Sequence, residues 1–454
     1  MAATRHSGDT VASITGLHVA RRIGADSSGR IAKERPERVE IAAMTNTTHA
    51  RLRWLSPWAL FGLGALPAPT RRGLATAFAS SMTVIMGVNL IYPVLPAMMQ
   101  QLGVEPSAIG LVIAAYTLPA ILLSPVTGVI ADLQGRRPLL VGGLILFGLA
   151  GVAAGLAPSF ELVLVFRALQ GIGASALAPL TIVLIGDLVR GEEESAAQGM
   201  KVVLDRVATS VFPLLAGVLA VVSWSLPFLL YALALLVALL ALVWLPETRT
   251  EESAGLRVYI GNMGEIRRRP RLLFAFSAGA LRFFLDYAYF TYLPIYLALT
   301  RGTSTATVGL LFICFAAGAM VTASQAGRLV RGREPTHLVL AGFVLSGISV
   351  LIIPLLPSEA LVGVSLFIYG LGNGVISPLQ KSVLTRNAPP EVRAGVIALD
   401  RLGQQIAKSL GPGAAGALLL VADLSAVFWS LGALSFLCVA LAAPLVFSRR
   451  WIPL

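Results

Sequence analysis

Apolar residues in this chain fall in long unbroken runs divided by short polar stretches, unlike the alternation of a strand or the one-sided stripe of a soluble helix. From Leu74 onward, runs close to the ~20 residues that cross a bilayer recur. They lie near 74–98, 106–130, 139–157, 161–187, 202–222 and 225–245, and again near 272–298, 306–328, 336–356, 360–384, 396–421 and 425–447. The pattern predicts an all-α polytopic membrane protein with twelve transmembrane helices. Barrel strands would be shorter and alternating, so they are not expected. Residues up to about Arg53 hold no apolar span and read as a flexible basic tail. No apolar core with a small-residue cleavage site follows the early basic residues, so a secretory signal is not expected; Met44 offers an alternative start. The stretch Leu52–Leu66, with Trp54 and Trp58, reads as a short interfacial segment.

The two sets of six runs repeat each other. Gly110/Gly309, Gly128/Gly327, Gly171/Gly370, Gly173/Gly372, Pro179/Pro378, Glu192/Glu391, Pro213/Pro412 and Gly217/Gly416 share a single offset of 199 residues. The expected organisation is a cytoplasmic segment 1–73, a six-helix bundle 74–245, a cytoplasmic linker 246–271, and a second bundle with a short tail, 272–454. Parallel repeats of this kind place a substrate pathway between the halves near the bilayer midplane, and one half can then rock against the other.

Composition narrows the class. Hydrophobic residues make up 56% of the 454 and charged residues 13%, about half the ~25% charge of a soluble domain. The net charge of +12 would suggest nucleic acid in a soluble protein, but here the positive-inside rule accounts for it, and no nucleic-acid partner is expected. Arg136, Arg137, Arg190, the Arg267–Arg269 run, Arg271, Arg328, Arg331, Arg333, Arg386, Arg393, Arg449 and Arg450 fall on one side. The opposite loops offer only Arg301 among basic residues. Both termini are therefore expected in the cytoplasm, in an inner (plasma) membrane. His6, His18, His49 and His337 lie outside the apolar runs, and Cys314 and Cys438 sit singly inside them. No metal site, cofactor, disulfide framework or His-based hydrolase is expected from that set, and there is no P-loop for ATP. The expected role is transport, not enzymatic catalysis.

Three motifs carry more. Gly128-Val-Ile-Ala-Asp132-Leu-Gln-Gly135-Arg136-Arg137 joins the second and third runs. Gly128 allows close helix approach, Gly135 a tight turn, and Asp132 puts a carboxylate at a membrane edge. The segment resembles the G-x-x-x-D-R-x-G-R-[RK] signature of the major facilitator superfamily, with Leu133 in place of the usual Arg. The resemblance implies that Asp132 is a conformational latch. The second copy, Gly327 to Arg333, lacks the Asp. Arg167-Ala-Leu-Gln170-Gly171-Ile-Gly173 is similar to the family's R-x-x-Q-G-x-G motif. An arginine near a helix centre costs about 2.5–3.5 kcal/mol on insertion scales, so Arg167 is expected to hold a counter-charge, tune a proton site or lock helices as an ion pair. Ala208-x-x-x-Phe212-Pro213-Leu-Leu-Ala216-Gly217 and Gly411-Pro412-Gly-Ala-Ala-Gly416 resemble the superfamily's exporter motif, the second more closely.

Residues 74–447 thus look most similar to the twelve-helix drug:proton antiporter branch. The resemblance implies a proton-coupled exporter of small amphiphilic organic compounds, functional as a monomer. A dedicated sugar, organic acid or siderophore transporter is the second reading, and a non-transporting scaffold or sensor the third. For proton coupling, an intramembrane carboxylate is needed, because burial disfavours its charged form while a nearby cation favours it. Asp286, with Arg282 one turn away, is the deepest candidate; Asp205 and Asp400 lie nearer the cytoplasmic ends, and Arg167 and Lys408 are alternative counter-charges. Asp205 and Arg206 are expected to open the fifth span. Asn89, Tyr287, Tyr292 and Tyr296 are candidates to line a substrate cavity.

Overall fold

The computed structural model describes residues 57–247, 266–389 and 392–447. The tail 1–56 and most of the 246–271 linker lie outside the described residues. So do the side chains of Gly128 and Asp132. The described chain forms twelve long helices: α1 Ala68–Asn89, α2 Leu111–Gln134, α3 Arg136–Gly155, α4 Phe160–Leu188, α5 Glu192–Ala220, α6 Leu233–Trp244, α7 Pro270–Arg301, α8 Thr305–Leu329, α9 Pro335–Leu351, α10 Glu359–Asn387, α11 Arg393–Leu418 and α12 Leu424–Phe447. Short helical turns extend several of these; Tyr92–Val94 and Leu95–Leu102 continue the path of α1 past Asn89.

Eleven spans are apolar enough over an 18-residue window to cross a membrane. The exception is α11, which carries Asp400, Arg401, Gln404, Gln405 and Lys408. Its place as a span follows from its symmetry with α5, not from hydropathy. Eleven such spans and a twelfth by symmetry fit the expected all-α, twelve-helix architecture.

The two halves pack alike. In the first, α4 lies against α1, α2 and α3, and α1 also meets α5 and α6; in the second, α10 lies against α7, α8 and α9, and α7 also meets α11 and α12. The 199-residue offset holds for individual contacts. A Cβ on Gly171 would overlap the carbonyl of Tyr116, and one on Gly370 the carbonyl of Phe315; Gly173 abuts the carbonyl of Gly143, and Gly372 that of Gly342. These glycines let helix backbones touch, the means by which helices associate where lipid supplies no hydrophobic drive.

Several boundaries differ from expectation. α1 begins at Ala68, not 74. The Leu52–Leu66 segment, where described, packs onto helix ends: Leu63 and Leu66 are buried beside Leu74, Phe78 and Ile185, and Trp58 stacks on Phe78 at 6.1 Å. α5 begins at Glu192, ten residues before the expected start, because Glu192, Glu193 and Glu194 suit the positive end of the helix dipole. Asp205 and Arg206 consequently sit near the middle of α5 and do not open it.

Candidate functional site

The halves meet along two crossings, α2 with α11 and α5 with α8. Both are tightest at the end of the bundle that carries the α1–α2, α5–α6, α7–α8 and α11–α12 connections, here called the α1–α2 end. There Gly110 faces the carbonyl of Pro412, and its symmetry mate Gly309 faces the carbonyl of Pro213; Gly416 abuts Ser107, and Gly217 abuts Thr305. The Thr305 hydroxyl donates to the Gly217 carbonyl at 2.8 Å, and Thr117 and Ser409 hydroxyls meet at 2.6 Å. Tyr92 completes the closure by inserting among Phe290 and Phe312 of the other half, each at 5.8 Å. The degraded exporter motif in α5 and its closer copy in α11 therefore both lie on the inter-half seam. Gly411 serves a contact within the second half instead, against the Phe284 carbonyl.

Inward from that seam the second half holds a buried polar cluster. Asp286 lies at the centre of α7 and is 6% exposed. One of its oxygens accepts from the Tyr369 hydroxyl at 2.6 Å and from the Asn373 amide at 2.5 Å, both on α10. Arg282 lies one turn back at 3.7 Å, donates to Asn373 Oδ1 at 2.6 Å and rests over the Phe283 ring at 4.0 Å. The expected Arg282–Asp286 pair is thus present, but Tyr369 and Asn373, which no sequence pattern singles out, are the closer partners of Asp286. A phenol and an amide in an apolar helix read as packing residues until a facing carboxylate is known.

The other candidates separate. Asp400 is buried between Gln380 and Gln404, accepting at 2.9 and 2.7 Å, and Gln380 also holds the Ala275 carbonyl. Asp205 accepts from Ser81 at 2.7 Å and pairs with Lys201 at 2.6 Å. Lys408 donates to Gln405 and lies over the rings of Phe283 and Tyr287, at 4.6 and 5.5 Å. Arg206 is exposed, near the middle of α5, on the helix face that continues through Thr209, Pro213 and Gly217. It lines a recess of about 20 Å³ with Thr209, Ser210, Phe315, Ala316, Ala319 and Met320, room for one water-sized group. The Asn89 side chain donates to Ile85 of its own helix, and Tyr287 faces Tyr92 edge-on at 6.3 Å across the two halves.

Three expectations are corrected. Arg167 is fully buried, lies in the first third of α4, and has no carboxylate partner among the described residues. It donates to the Gly87 carbonyl at 2.9 Å, to Gln170 at 2.5 Å and to the Val112 carbonyl at 3.4 Å, beneath the Tyr116 ring. It clamps α1, α2 and α4, and it is not half of an ion pair among the described residues. Tyr292 does not face a cavity, because its hydroxyl reaches the Pro412 carbonyl at the seam. Tyr296 packs inside the second half on Phe428, at 5.0 Å. We expect Arg167→Met to lower the melting temperature by several degrees, since hydrogen bonds from a charged donor are worth about 1.5–3 kcal/mol each. The pH profile of transport should not move; a displaced profile would return Arg167 to the proton path.

The loop after α2 is held from two sides. Gly135 has φ +98°, and a Cβ there would also overlap the Glu247 carboxylate. Arg136 is buried and pairs with Asp187 at the end of α4, and Arg137 donates to the Leu242 carbonyl of α6. Asp187 is a partner the sequence did not reveal, since it lies 51 residues away on another helix.

Comparison with known proteins agrees with this architecture. The chain is 33% identical over 159 residues to the bacillibactin exporter of Bacillus subtilis (33% of this chain, 39% of that protein). It is 26% identical over 175 residues to the quinolone resistance protein NorA of Staphylococcus aureus (38% and 45%). The matches thus span less than half the length of these two relatives. A third, the uncharacterised transporter YceJ of Bacillus subtilis, is 24% identical over 346 residues (74% and 87%). Among solved structures, a bacterial homologue of the human lysosomal transporter Spinster, inward-facing and unoccupied, superposes with a TM-score of 0.67 at 16% identity, covering 85% of this chain and 97% of that one. A POT family transporter in complex with 5-aminolevulinic acid gives 0.69 at 16% identity, covering 84% and 97%. The family profile described as Major Facilitator Superfamily matches residues 77–412 and 302–450. With both six-helix halves, their shared offset and the α2–α3 loop motif in place, the chain belongs to the Major Facilitator Superfamily.

Proposed function

We propose that this transporter exports small amphiphilic organic compounds in exchange for protons, by alternating access between the two halves. The observation that carries the reading is the Arg282–Asp286 pair, buried at the middle of α7 and bordered by Tyr369 and Asn373. A carboxylate so placed is suited to take a proton from one side and release it to the other, provided its partners change as the halves move. The groups that face it are Arg282, Tyr369 and Asn373, with Arg206, Lys408, Tyr92 and Tyr287 within electrostatic range. Similarity to NorA and to the bacillibactin exporter supports an outward direction and an organic cargo. The bacillibactin exporter, whose match has the higher identity of the two, also favours a second reading, a dedicated siderophore-type substrate.

The test is a panel of aromatic amphiphiles, sugars and organic acids offered to purified protein in proteoliposomes under an imposed pH difference. Movement of amphiphiles that collapses with the gradient supports the reading. A panel in which nothing moves in either direction overturns it.

The direction rests on orientation. Arg136, Arg137, Arg190, Arg331, Arg333 and Arg393 cluster at the α2–α3 end, which the positive-inside rule assigns to the cytoplasm together with both termini. In intact cells an impermeant thiol reagent is expected to label a cysteine at Glu359 and to spare one at Arg333. The reverse pattern would invert the topology and the transport direction with it.

A further inference from the structure

The charges around the space between the halves do not balance, and the imbalance bears on the substrate. Each of the three carboxylates at this depth is already engaged: Asp286 by Tyr369, Asn373 and Arg282, Asp205 by Ser81 and Lys201, and Asp400 by Gln380 and Gln404. The cations outnumber them. Arg206 is exposed in the recess between α5 and α8, and its guanidinium makes no hydrogen bond or ion pair among the described residues. Lys381 is a further cation, exposed on α10. Lys408 has neutral neighbours, Gln405 and two aromatic rings. Arg206 and Lys408, one from each half, thus lie beside the inter-half seam with no carboxylate partner among the described residues, Lys408 next to the Ser409 that meets Thr117. A cation without a carboxylate partner in a partly desolvated space is stabilised by a bound anion, whereas a cationic solute adds to its charge. Lys408 lies over the faces of Phe283 and Tyr287, and Phe315, Ala316 and Ala319 border the recess at Arg206, apolar surface that suits an organic body once the halves part.

We infer that the space between the halves receives the anionic end of an organic amphiphile, with the Arg206 guanidinium and the Lys408 ammonium as its receptors and Phe283, Tyr287 and Phe315 as the apolar wall. This rests on the transporter reading above and names the substrate class for it. Arginine is suited to the task because its planar fork matches carboxylate and sulfonate oxygens, while lysine supplies a mobile point charge over the rings.

The test uses two xanthene dyes of similar shape and opposite charge, fluorescein and rhodamine 123, in proteoliposomes of the full chain under a pH difference. Fluorescein is expected to move at least about tenfold faster than rhodamine 123. Arg206→Gln and Lys408→Gln should each slow fluorescein about tenfold, mainly through KM, while Arg206→Lys should stay within about threefold of the parent. Preferential movement of rhodamine 123 would overturn the anionic class and leave the exporter reading standing. Movement of fluorescein at the parental rate in both glutamine variants would also overturn it. If neither dye moves, the anion inference and the amphiphile-exporter reading fall together.

Discussion

Asp286→Asn is expected to bind substrate and exchange it down a gradient at close to the parental rate, yet to build no substrate gradient from an imposed pH difference. The asparagine retains an oxygen for Tyr369 and Asn373, whose hydrogen bonds of 2.6 and 2.5 Å fix the side chain's place. It cannot bind or release a proton, so the step that couples the pH difference to the solute is lost while the conformational cycle is not. It also leaves the Arg282 charge without its carboxylate, and breaking a buried pair from one side costs about 3–5 kcal/mol. Asp286→Glu, which keeps the charge and the titration, serves as the folding control and is expected to retain partial uphill transport. The measurement is substrate accumulation and counterflow in the same proteoliposomes. Uphill accumulation by Asp286→Asn with a normal pH dependence would make the Arg282–Asp286 pair a static brace of α7, and Asp400 and Asp205 would become the next carboxylates to replace.

The second large effect is expected at the seam. Gly217→Leu and Gly416→Leu should leave each half folded and the protein inserted, while turnover falls by at least about tenfold. The reason is where these glycines sit: a side chain at Gly217 meets Thr305 and one at Gly416 meets Ser107, in each case across the two halves. Overpacking of this kind costs about 1–3 kcal/mol, and here the clash is avoided if the halves part at the α1–α2 end. A bias of that size shifts a two-state equilibrium about 5–150-fold. With Cys314 and Cys438 replaced by serine, a cysteine at Ser409, which meets Thr117 at 2.6 Å in this closed seam, should become reactive from the α1–α2 side. Gly171→Leu is the contrasting variant. Its clash with the Tyr116 carbonyl lies within one half, so no rocking motion relieves it, and a loss of folded protein is expected instead. Equal behaviour of the seam and within-half variants would remove the case for a moving seam.

Much of the architecture was legible in one dimension. The span lengths follow from local hydropathy, and the 199-residue offset pairs α11 with α5 although Asp400, Arg401 and Lys408 lower its hydropathy. The offset carries through to the contacts, where Gly171 meets Tyr116 as Gly370 meets Phe315. A glycine required for close backbone approach is required in both copies, so the repeat records packing directly. The loop motif was read correctly at Gly135, whose φ of +98° few residues other than glycine adopt.

The polar partnerships were not legible. Arg167 and Arg206 are the same residue type, each in an apolar run, but one is sealed against the carbonyls of Gly87 and Val112 while the other stands exposed between the halves. Asp205 seemed to sit at a helix end because the apolar run begins after the polar first turns of α5. Tyr292 and Tyr296 were candidates for a cavity on composition, and the crossing of α7 with α11 and α12 turned both into packing. Sequence by itself determined what depends on neighbours along the chain or on the repeat: twelve helices, two matching halves, the tight turns and the small residues at crossings. Only the tertiary structure decided which charge meets which partner and which faces water, because a hydrogen bond across helices depends on axial register and rotation to within about an ångström, and a helix of apolar residues specifies neither until its neighbours are packed against it.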